Sequence, residues 1–400
     1  MTFSALRTDR PSRKELGRVL MESGALSSDW APSFAAIDRA AFLPDLMWPY
    51  DIPTRASVTV DKQTDPDAWY AATDSNIPIV TQWDDGAHLG PGPGTLSTSS
   101  SSMPSTVYSL LQDLGVEASM RVLDVGTGTG ETAALLSHRL GPRNVTTIEV
   151  DAAVSAQARG RLHKLSLRPE IIVGDGSRGH PASAPYDRIL ATAGIRQLPA
   201  AWIKQSRPGG VILVPWGTLY GNADAMLRLM VKGETATGPF TRAVEFMKFR
   251  AQRGPVIRPA DYLSAGPLEA ADRTTTELTE QDFLTGQFTD LPFVLGLRVS
   301  QCRQAVADKR DGARPVWFYS LSDLSWACVM FRDGERHACV WQWGSRRLWD
   351  AVIDAYRWWK EQGSPSVTRF GLTVDTSGQR AWLDDPDGES WPILSSGTCC

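Results

Sequence analysis

Val122-Leu-Asp-Val-Gly-Thr-Gly-Thr-Gly130 is the stretch on which the fold of this 400-residue chain turns. Arg121 to Val125 is an apolar run of strand length that leads straight into three glycines at alternate positions. Glycines so placed let the backbone turn tightly and approach a ligand with no Cβ in the way. Their spacing narrows the ligand. A dinucleotide fingerprint needs Gly-x-Gly-x-x-Gly, and Gly126, Gly128 and Gly130 fall one residue short of it. A phosphate-binding P-loop ends in Gly-Lys-Ser/Thr, whereas Glu131 follows Gly130 here.

Downstream, apolar runs alternate with helical stretches. Glu131 to Leu140 has Ala133, Ala134, Leu135 and Leu136 as its packing positions. Val145–Val150 reads as the second strand, Ala152–Leu165 as a helix, and Glu170–Val173 as the third strand. Tyr186–Ala193 and Val211–Pro215 follow as strands, separated by a helix over Ala200–Ser206. Such alternation predicts an α/β, doubly wound, mostly parallel sheet. Met226–Val231 and Val244–Phe249 have no helix between them, so an antiparallel hairpin is expected to close the sheet.

The Gly-x-Gly-x-Gly loop after Leu-Asp-Val resembles the first motif of class I methyltransferases, which implies S-adenosylmethionine as cofactor. Three acids agree with that. Ligands of such sheets bind beyond the carboxyl ends of the strands, where Asp124, Glu149 and Asp175 stand one β/α unit apart. Asp124 is expected to face the cationic end of the cofactor. Glu149 is suited to accept both ribose hydroxyls and Asp175 the adenine amino group. The expected cofactor contacts are Asp124, Gly126, Thr127, Gly128, Gly130, Glu149, Val150, Asp175, Gly176 and Thr192.

Further motifs give a narrower resemblance. Gly174-Asp-Gly176, Ala184-Pro-Tyr-Asp187 with Ala191-Thr-Ala193, and Arg207-Pro-Gly-Gly-Val-Ile-Leu-Val-Pro-Trp-Gly217 resemble protein-L-isoaspartate O-methyltransferases over roughly residues 15 to 250. That family carries Thr-Ile-Ser-x-Pro about twenty residues before the first strand. Ser100-Ser101-Ser102-Met103-Pro104 stands at the matching distance, with Ser-Ser in place of Thr-Ile. The resemblance makes Ser102 the active-site serine. Ser101 and Met103 beside it, and Trp83 and His88 in the preceding loop that could cover the site, are expected to contact substrate, an exposed loop histidine being the alternative for His88. Ser97 to Ser102 also has the composition of a flexible linker, but Pro104 opens a helix with Val107, Leu110, Leu111 and Leu114 on one face. A carboxylate acceptor is ionised at neutral pH and needs no general base, in keeping with the lack of a His-Asp or Cys-His pair.

The long loop before Ser102, the altered serine motif and about 150 residues beyond the sheet resemble the subgroup associated with ribosomally made, post-translationally modified peptides: graspetides, lanthipeptides and some lasso peptides. That resemblance implies methylation of an aspartate side chain in a constrained precursor peptide, whose ester then closes to an aspartimide. An isoaspartyl repair enzyme with an appended domain and a non-catalytic, peptide-binding module are the alternatives.

Outside the core, residues 10 to 47 read as two short helices, separated at Ser27-Ser28-Asp29 and ended by Phe42-Leu43-Pro44. Residues 50 to 95 read as loop, with Ile77–Val80 as the best strand candidate. After a linker at Arg253–Pro259 comes an α+β region with nine of the fifteen tryptophans, at Trp317, Trp326, Trp341, Trp343, Trp349, Trp358, Trp359, Trp382 and Trp391. Segments 1–95, 96–252 and 253–400 are thus expected as a covering region, a methyltransferase core and an accessory domain for peptide binding or dimerisation. The tryptophans, with Arg346, Arg347 and Arg357, are open to a core or a binding-face reading. A net charge of −4 gives no footprint for nucleic acid. No run has membrane-spanning length. Five cysteines, an odd number, with no secretory signal fit reduced thiols in the cytoplasm, and their spacing suits no metal. The vicinal Cys399-Cys400 reads as an unstructured tail.

Overall fold

The computed structural model describes residues 10–52, 54–286 and 288–393, so Cys399-Cys400 lies outside the described residues. The chain forms two compact units. One runs to Ala193 and takes in Pro199–Leu213 and Met230–Gly233. The other holds Gly194–Leu198, Val214–Leu229 and the chain from Glu234 onward.

The first unit starts with α1 (Pro11–Glu22) and α2 (Ala31–Ala36), the two short helices expected. The next stretch has the strand expected near Ile77–Val80 but is otherwise more ordered than the expected loop. It contains β1 (Leu46–Asp51), α3 (Pro66–Thr73) and β2 (Ile79–Trp83). Asp65 caps α3 by accepting the Ala68 amide, and Pro66 takes the first helical position, where no backbone donor is missed. Trp69 is fully buried with Ala40, Leu43, Met47 and Ile79, and its indole donates to the Pro44 carbonyl at 3.0 Å. Burial of one such ring contributes about 3 kcal/mol, so this segment has a small core of its own. The serine run is not a linker either: it is β3 (Ser97–Ser101), antiparallel to β2.

The helix expected at Pro104 is α4 (Pro104–Leu114). Then come β4 (Val122–Val125), α5 (Glu131–Leu140), β5 (Val145–Glu149), α6 (Ala152–Lys164), β6 (Glu170–Val173), β7 (Tyr186–Ala191), α7 (Ala200–Gln205) and β8 (Ser206–Gly217). The strands lie in the order β6-β5-β4-β7-β8, all parallel. Leu123, Leu136, Ile189 and Leu190 are completely buried. The outward order of strands from β4 puts the first strand's carboxyl end at the switch point of the sheet.

Next in the chain is the hairpin of β9 (Asp224–Lys232) and β10 (Thr235–Val244), which turns at Gly233 with φ +63°; β10 and most of β9 belong to the second unit. The hairpin's second strand was expected at Val244–Phe249. Gly238 and Pro239 disguised the true strand as a turn, yet a side chain at 238 would collide with the Arg228 carbonyl, so glycine is what this pairing requires. After α8 (Pro259–Ala265) come β11 (Asp272–Thr276), α9 (Asp290–Arg298), β12 (Cys302–Val306), β13 (Ala313–Ser320), β14 (Trp326–Arg332), β15 (Ala338–Trp343) and α10 (Leu348–Glu361). These strands form an antiparallel sheet in the order β11-β15-β14-β13-β12, with α10 packed on β13 to β15. The chain closes with β16 (Phe370–Asp375), β17 (Gly378–Leu383) and β18 (Ser390–Ile393), of which β16 pairs antiparallel with β10.

The nine tryptophans of this region divide between core and partly exposed positions. Trp326, Trp349, Trp359 and Trp382 are buried, whereas Trp317, Trp341 and Trp343 are half-buried. Arg346 donates to the Ser300 and Gln301 carbonyls at 2.7 Å, and Arg347 and Arg357 pair with Asp272 and Asp354. Cys302, Cys328 and Cys339 are free thiols. Among the described residues no helix is long and apolar enough to cross a membrane.

Candidate active site

The glycine loop adopts the conformation its residues were read for. Gly126, Gly128 and Gly130 have φ of +98°, +53° and +95°, a region costly for other residues. Both Gly126 and Thr127 donate their amides to the Ile148 carbonyl, at 2.9 and 3.1 Å. On the other flank the Thr192 hydroxyl donates to the Gly126 carbonyl at 2.9 Å, and a Cβ at 126 would stand 3.1 Å from that hydroxyl. A Cβ at 130 would press on Ala158 at 3.3 Å. Two of the glycines are therefore fixed by packing as well as by φ. Gly128 is different: nothing lies closer to its Cβ position than the Ser100 carbonyl at 3.7 Å.

The three strand-end acids separate. Half-buried Glu149 accepts the Gly128 amide on Oε2 at 2.9 Å and the Asp151 amide on Oε1 at 3.1 Å. A carboxylate has about four acceptor positions, so each oxygen keeps one for an outside donor. Asp175 is exposed, and its Oδ1 caps the Ser177 amide at 2.9 Å. Next to it Gly176 is buried, its carbonyl accepting the Trp202 indole at 2.9 Å. Val150 and Val173, at the ends of β5 and β6, are 50% and 53% exposed, apolar surface beside both acids.

Asp124 overturns its expectation. It is the third residue of β4 and wholly buried, under the loop rather than at the mouth of the site. Its Oδ2 accepts the Thr147 hydroxyl at 2.9 Å, and Thr147 in turn meets the Thr127 hydroxyl at 2.7 Å. Its Oδ1 has no partner among the described residues. Burial pushes this carboxyl up to about 7, against the Thr147 hydrogen bond, with the Glu149 charge adding to the rise. Asp124 thus props the loop through Thr147, a residue the sequence gave no reason to single out.

The serine strand lies against the glycine loop. β3 pairs with β2 so that Ser101 faces Ile79 and Ser100 faces Val80, and it brings the Ser100 carbonyl to Gly128. Alternate side chains of a strand point to opposite faces. Ser99 and Ser101 are accordingly buried, while Ser100 and Ser102 are half-buried. Among the described residues, none hydrogen-bonds to the Ser102 hydroxyl, although its carbonyl accepts Arg39 Nη2 at 3.0 Å. Half-buried Met103 is the N-cap residue of α4.

Ser101 does not face a substrate. Its hydroxyl accepts Arg39 Nε and donates to Glu131 Oε2, both at 2.9 Å. Burial lowers the Arg39 pKa and raises that of Glu131, opposed in each case by the charge of the other. The sequence reading missed both; the only signals were a charge inside the run Arg39-Ala-Ala-Phe-Leu and an acid directly after Gly130.

Trp83 and His88 are at the other end of β3. Trp83 pairs with Ser97, five residues and about 16 Å of strand from Ser102. Its ring lies 6.1 Å from that of Trp48, edge to face. The His88 imidazole shares a 2.7 Å hydrogen bond with the Gly92 carbonyl and lies 6.3 Å from Trp48, so it holds its own loop together. At this end Gln82 donates to Asp151 Oδ2 at 3.1 Å, tying the hairpin to the start of α6.

Comparisons with known proteins follow these motifs. A family model described as Protein-L-isoaspartate(D-aspartate) O-methyltransferase (PCMT) matches residues 74–247. A protein-L-isoaspartate O-methyltransferase of Azorhizobium caulinodans is 41% identical over 117 residues, 29% of this chain and 53% of that protein. A protein-L-isoaspartate O-methyltransferase 2 of a Polaromonas species is 36% identical over 149 residues, 37% of this chain and 70% of that protein. The chain spans only about half the length of most such relatives. A solved protein-L-isoaspartate O-methyltransferase shares the fold with a TM-score of 0.51 at 20% identity, over 93% of this chain and 100% of its own. The residues beyond the parallel sheet therefore have a structural counterpart in another protein of that name.

Proposed function

From the premise that this chain belongs to the protein-L-isoaspartate(D-aspartate) O-methyltransferase family, we propose that it is an S-adenosylmethionine-dependent O-methyltransferase acting on a carboxylate in a peptide. The observation that carries this is the Ser102 hydroxyl, without a hydrogen-bond partner among the described residues, just past a strand whose Ser100 carbonyl adjoins Gly128.

The residues present fit the cofactor. Glu149 keeps one acceptor position on each oxygen for the two ribose hydroxyls. Val150 offers an apolar face to a base, and Asp175 keeps Oδ2 for an amino group. The open side of Gly128 leaves room for a main-chain approach. S-adenosylmethionine supplies a methyl group made electrophilic by its sulfonium. The protein's part is then to hold the acceptor in line and shed its water. Ser102 donates a hydrogen bond to one oxygen of the carboxylate, and the other oxygen attacks. No base is required, because the acceptor is already ionised.

For the acceptor we favour an aspartate side chain in a constrained ribosomal peptide. Its methyl ester loses methanol when the amide nitrogen of the following residue attacks the ester carbonyl, giving an aspartimide. The Ser-Ser departure before Ser102 and the long Asp84–Leu96 loop support this acceptor. Repair of isoaspartyl sites is the second reading, favoured by the solved relative that matches 93% of the chain. Methyl-labelled cofactor offered with a linear isoaspartyl peptide and with an aspartate-bearing macrocyclic peptide decides. Label passing to the macrocycle, followed by methanol release, is the expected result. Label on the isoaspartyl peptide alone supports repair, and label on neither removes the carboxyl-transfer reading.

A further inference from the structure

The side chain with most to do around Ser102 is neither a cofactor contact nor part of any recognised motif. Arg39 is 6% exposed and donates to five carbonyls: Thr73 and Ser75 at 3.3 Å, Ile77 at 3.0 Å, Ser101 at 3.2 Å and Ser102 at 3.0 Å. A sixth bond goes to the Ser101 hydroxyl, and Glu131 lies 3.8 Å away as counter-charge. A planar guanidinium with five N–H donors suits such a set of acceptors; a lysine ammonium with three does not.

Three pieces of chain meet here: the turn after α3, the end of the serine strand and the first residue of α5. The last of these directly follows Gly130, so Glu131 reports the position of the glycine loop. Ser101 stands between the two charges and is bonded covalently to Ser102. A shift of the loop passes through Glu131 to the Ser101 hydroxyl, and through Arg39 to the Ser102 carbonyl. The Ser-Ser departure from the family's Thr-Ile thus has a physical partner, since the second serine supplies the hydroxyl that Arg39 and Glu131 share.

We propose that Arg39, acting through Ser101 and Glu131, is the positioning residue that sets Ser102 against the glycine loop, so that filling the loop orders the acceptor end. Only the catalytic consequence rests on the carboxyl-transfer reading above.

The test uses the full chain, wild type against Ser101→Ala and Arg39→Lys. S-adenosylhomocysteine affinity is measured by calorimetry, amide hydrogen exchange over residues 97–103 with and without that ligand, and kcat and KM on the peptide that accepts methyl. The expected pattern is an unchanged ligand Kd in Ser101→Ala, loss of ligand-induced protection over 97–103, and kcat lower by about tenfold, an amount that slight misplacement of a reacting group accounts for. Arg39→Lys is expected to lose more kcat with the same S-adenosylhomocysteine Kd. Unchanged kcat and protection overturn the proposal, as does a kcat loss matched by an equal loss of ligand affinity, which marks plain structural damage. If Arg39→Lys fails to fold, Ser101→Ala decides. If the wild type methylates no carboxylate peptide, the functional reading falls and exchange alone decides: protection lost in Ser101→Ala upholds the pair, and equal protection overturns it.

Discussion

The glycine loop and the serine strand adjoin one another but are held in place by opposite means. The loop is fixed chiefly by its own backbone, through three positive φ values, with only uncharged groups beside it: the Ile148 carbonyl and the Thr147 and Thr192 hydroxyls. The strand is fixed from a distance, by an arginine sixty-two residues before Ser101 and a glutamate thirty residues after it. What is locally fixed is written as a motif. What is fixed by a remote buried charge is written nowhere near the residue it serves.

Substitutions separate the two modes. The largest effect is expected from Arg39→Met, which leaves Glu131 buried without its counter-charge and should cost about 3–5 kcal/mol of stability, measured by chemical denaturation. A loss under about 1 kcal/mol would break the comparison, for the strand would then not depend on its remote charge. Gly130→Val comes next. A β-branched residue at φ +95° pressed on Ala158 should cost about 2–4 kcal/mol and abolish S-adenosylhomocysteine binding. Glu149→Gln keeps the acceptor of one amide but loses the charge, and should weaken that ligand by about tenfold with little change in Tm. Ser102→Ala should slow methyl transfer by about tenfold with ligand affinity and Tm unchanged; an unchanged rate would leave the strand without a catalytic role.

A separate effect concerns pH. Asp124 is an acid whose folded-state pKa is raised from 3.8 to about 7, so the folded protein binds its proton more tightly than the unfolded chain. Its contribution therefore falls as pH rises from 3.8 to about 7 and is constant above that. Asp124→Asn should flatten that part of the stability profile. A profile unchanged by the substitution would show the carboxyl to be ionised throughout.

How far the sequence could be read follows the same divide. The β/α alternation and the tight turn at Gly126 to Gly130 were legible, because both are written in contiguous residues. α3 was not read because Asp- and Pro-rich flanks outweighed the cap at Asp65-Pro66, although that pair is itself a start signal. β3 was unreadable for a deeper reason. Its buried face is Ser99 and Ser101, so no hydrophobic alternation exists to find, and hydroxyls bonded to remote partners do the work of apolar side chains. Asp124 sits where the motif puts it, but only burial reveals that it supports the loop from below. Trp83 and His88 were expected at the substrate because they lie in the segment before Ser102, and the register of β3 puts Trp83 at the far end of that strand from Ser102.

The strand pair β10 and β16 has a bearing on how this protein can be divided or assembled. Ala236 to Pro239 meets Val374 to Gly371 rung by rung, and Thr237 and Thr373 join hydroxyls across it at 2.8 Å. A truncation at Arg253 strips β10 of that partner and bares a row of backbone donors and acceptors, a template for other chains. The C-terminal half is therefore not a bead on a string. Cut at Arg253, the chain is expected to associate through that bared edge.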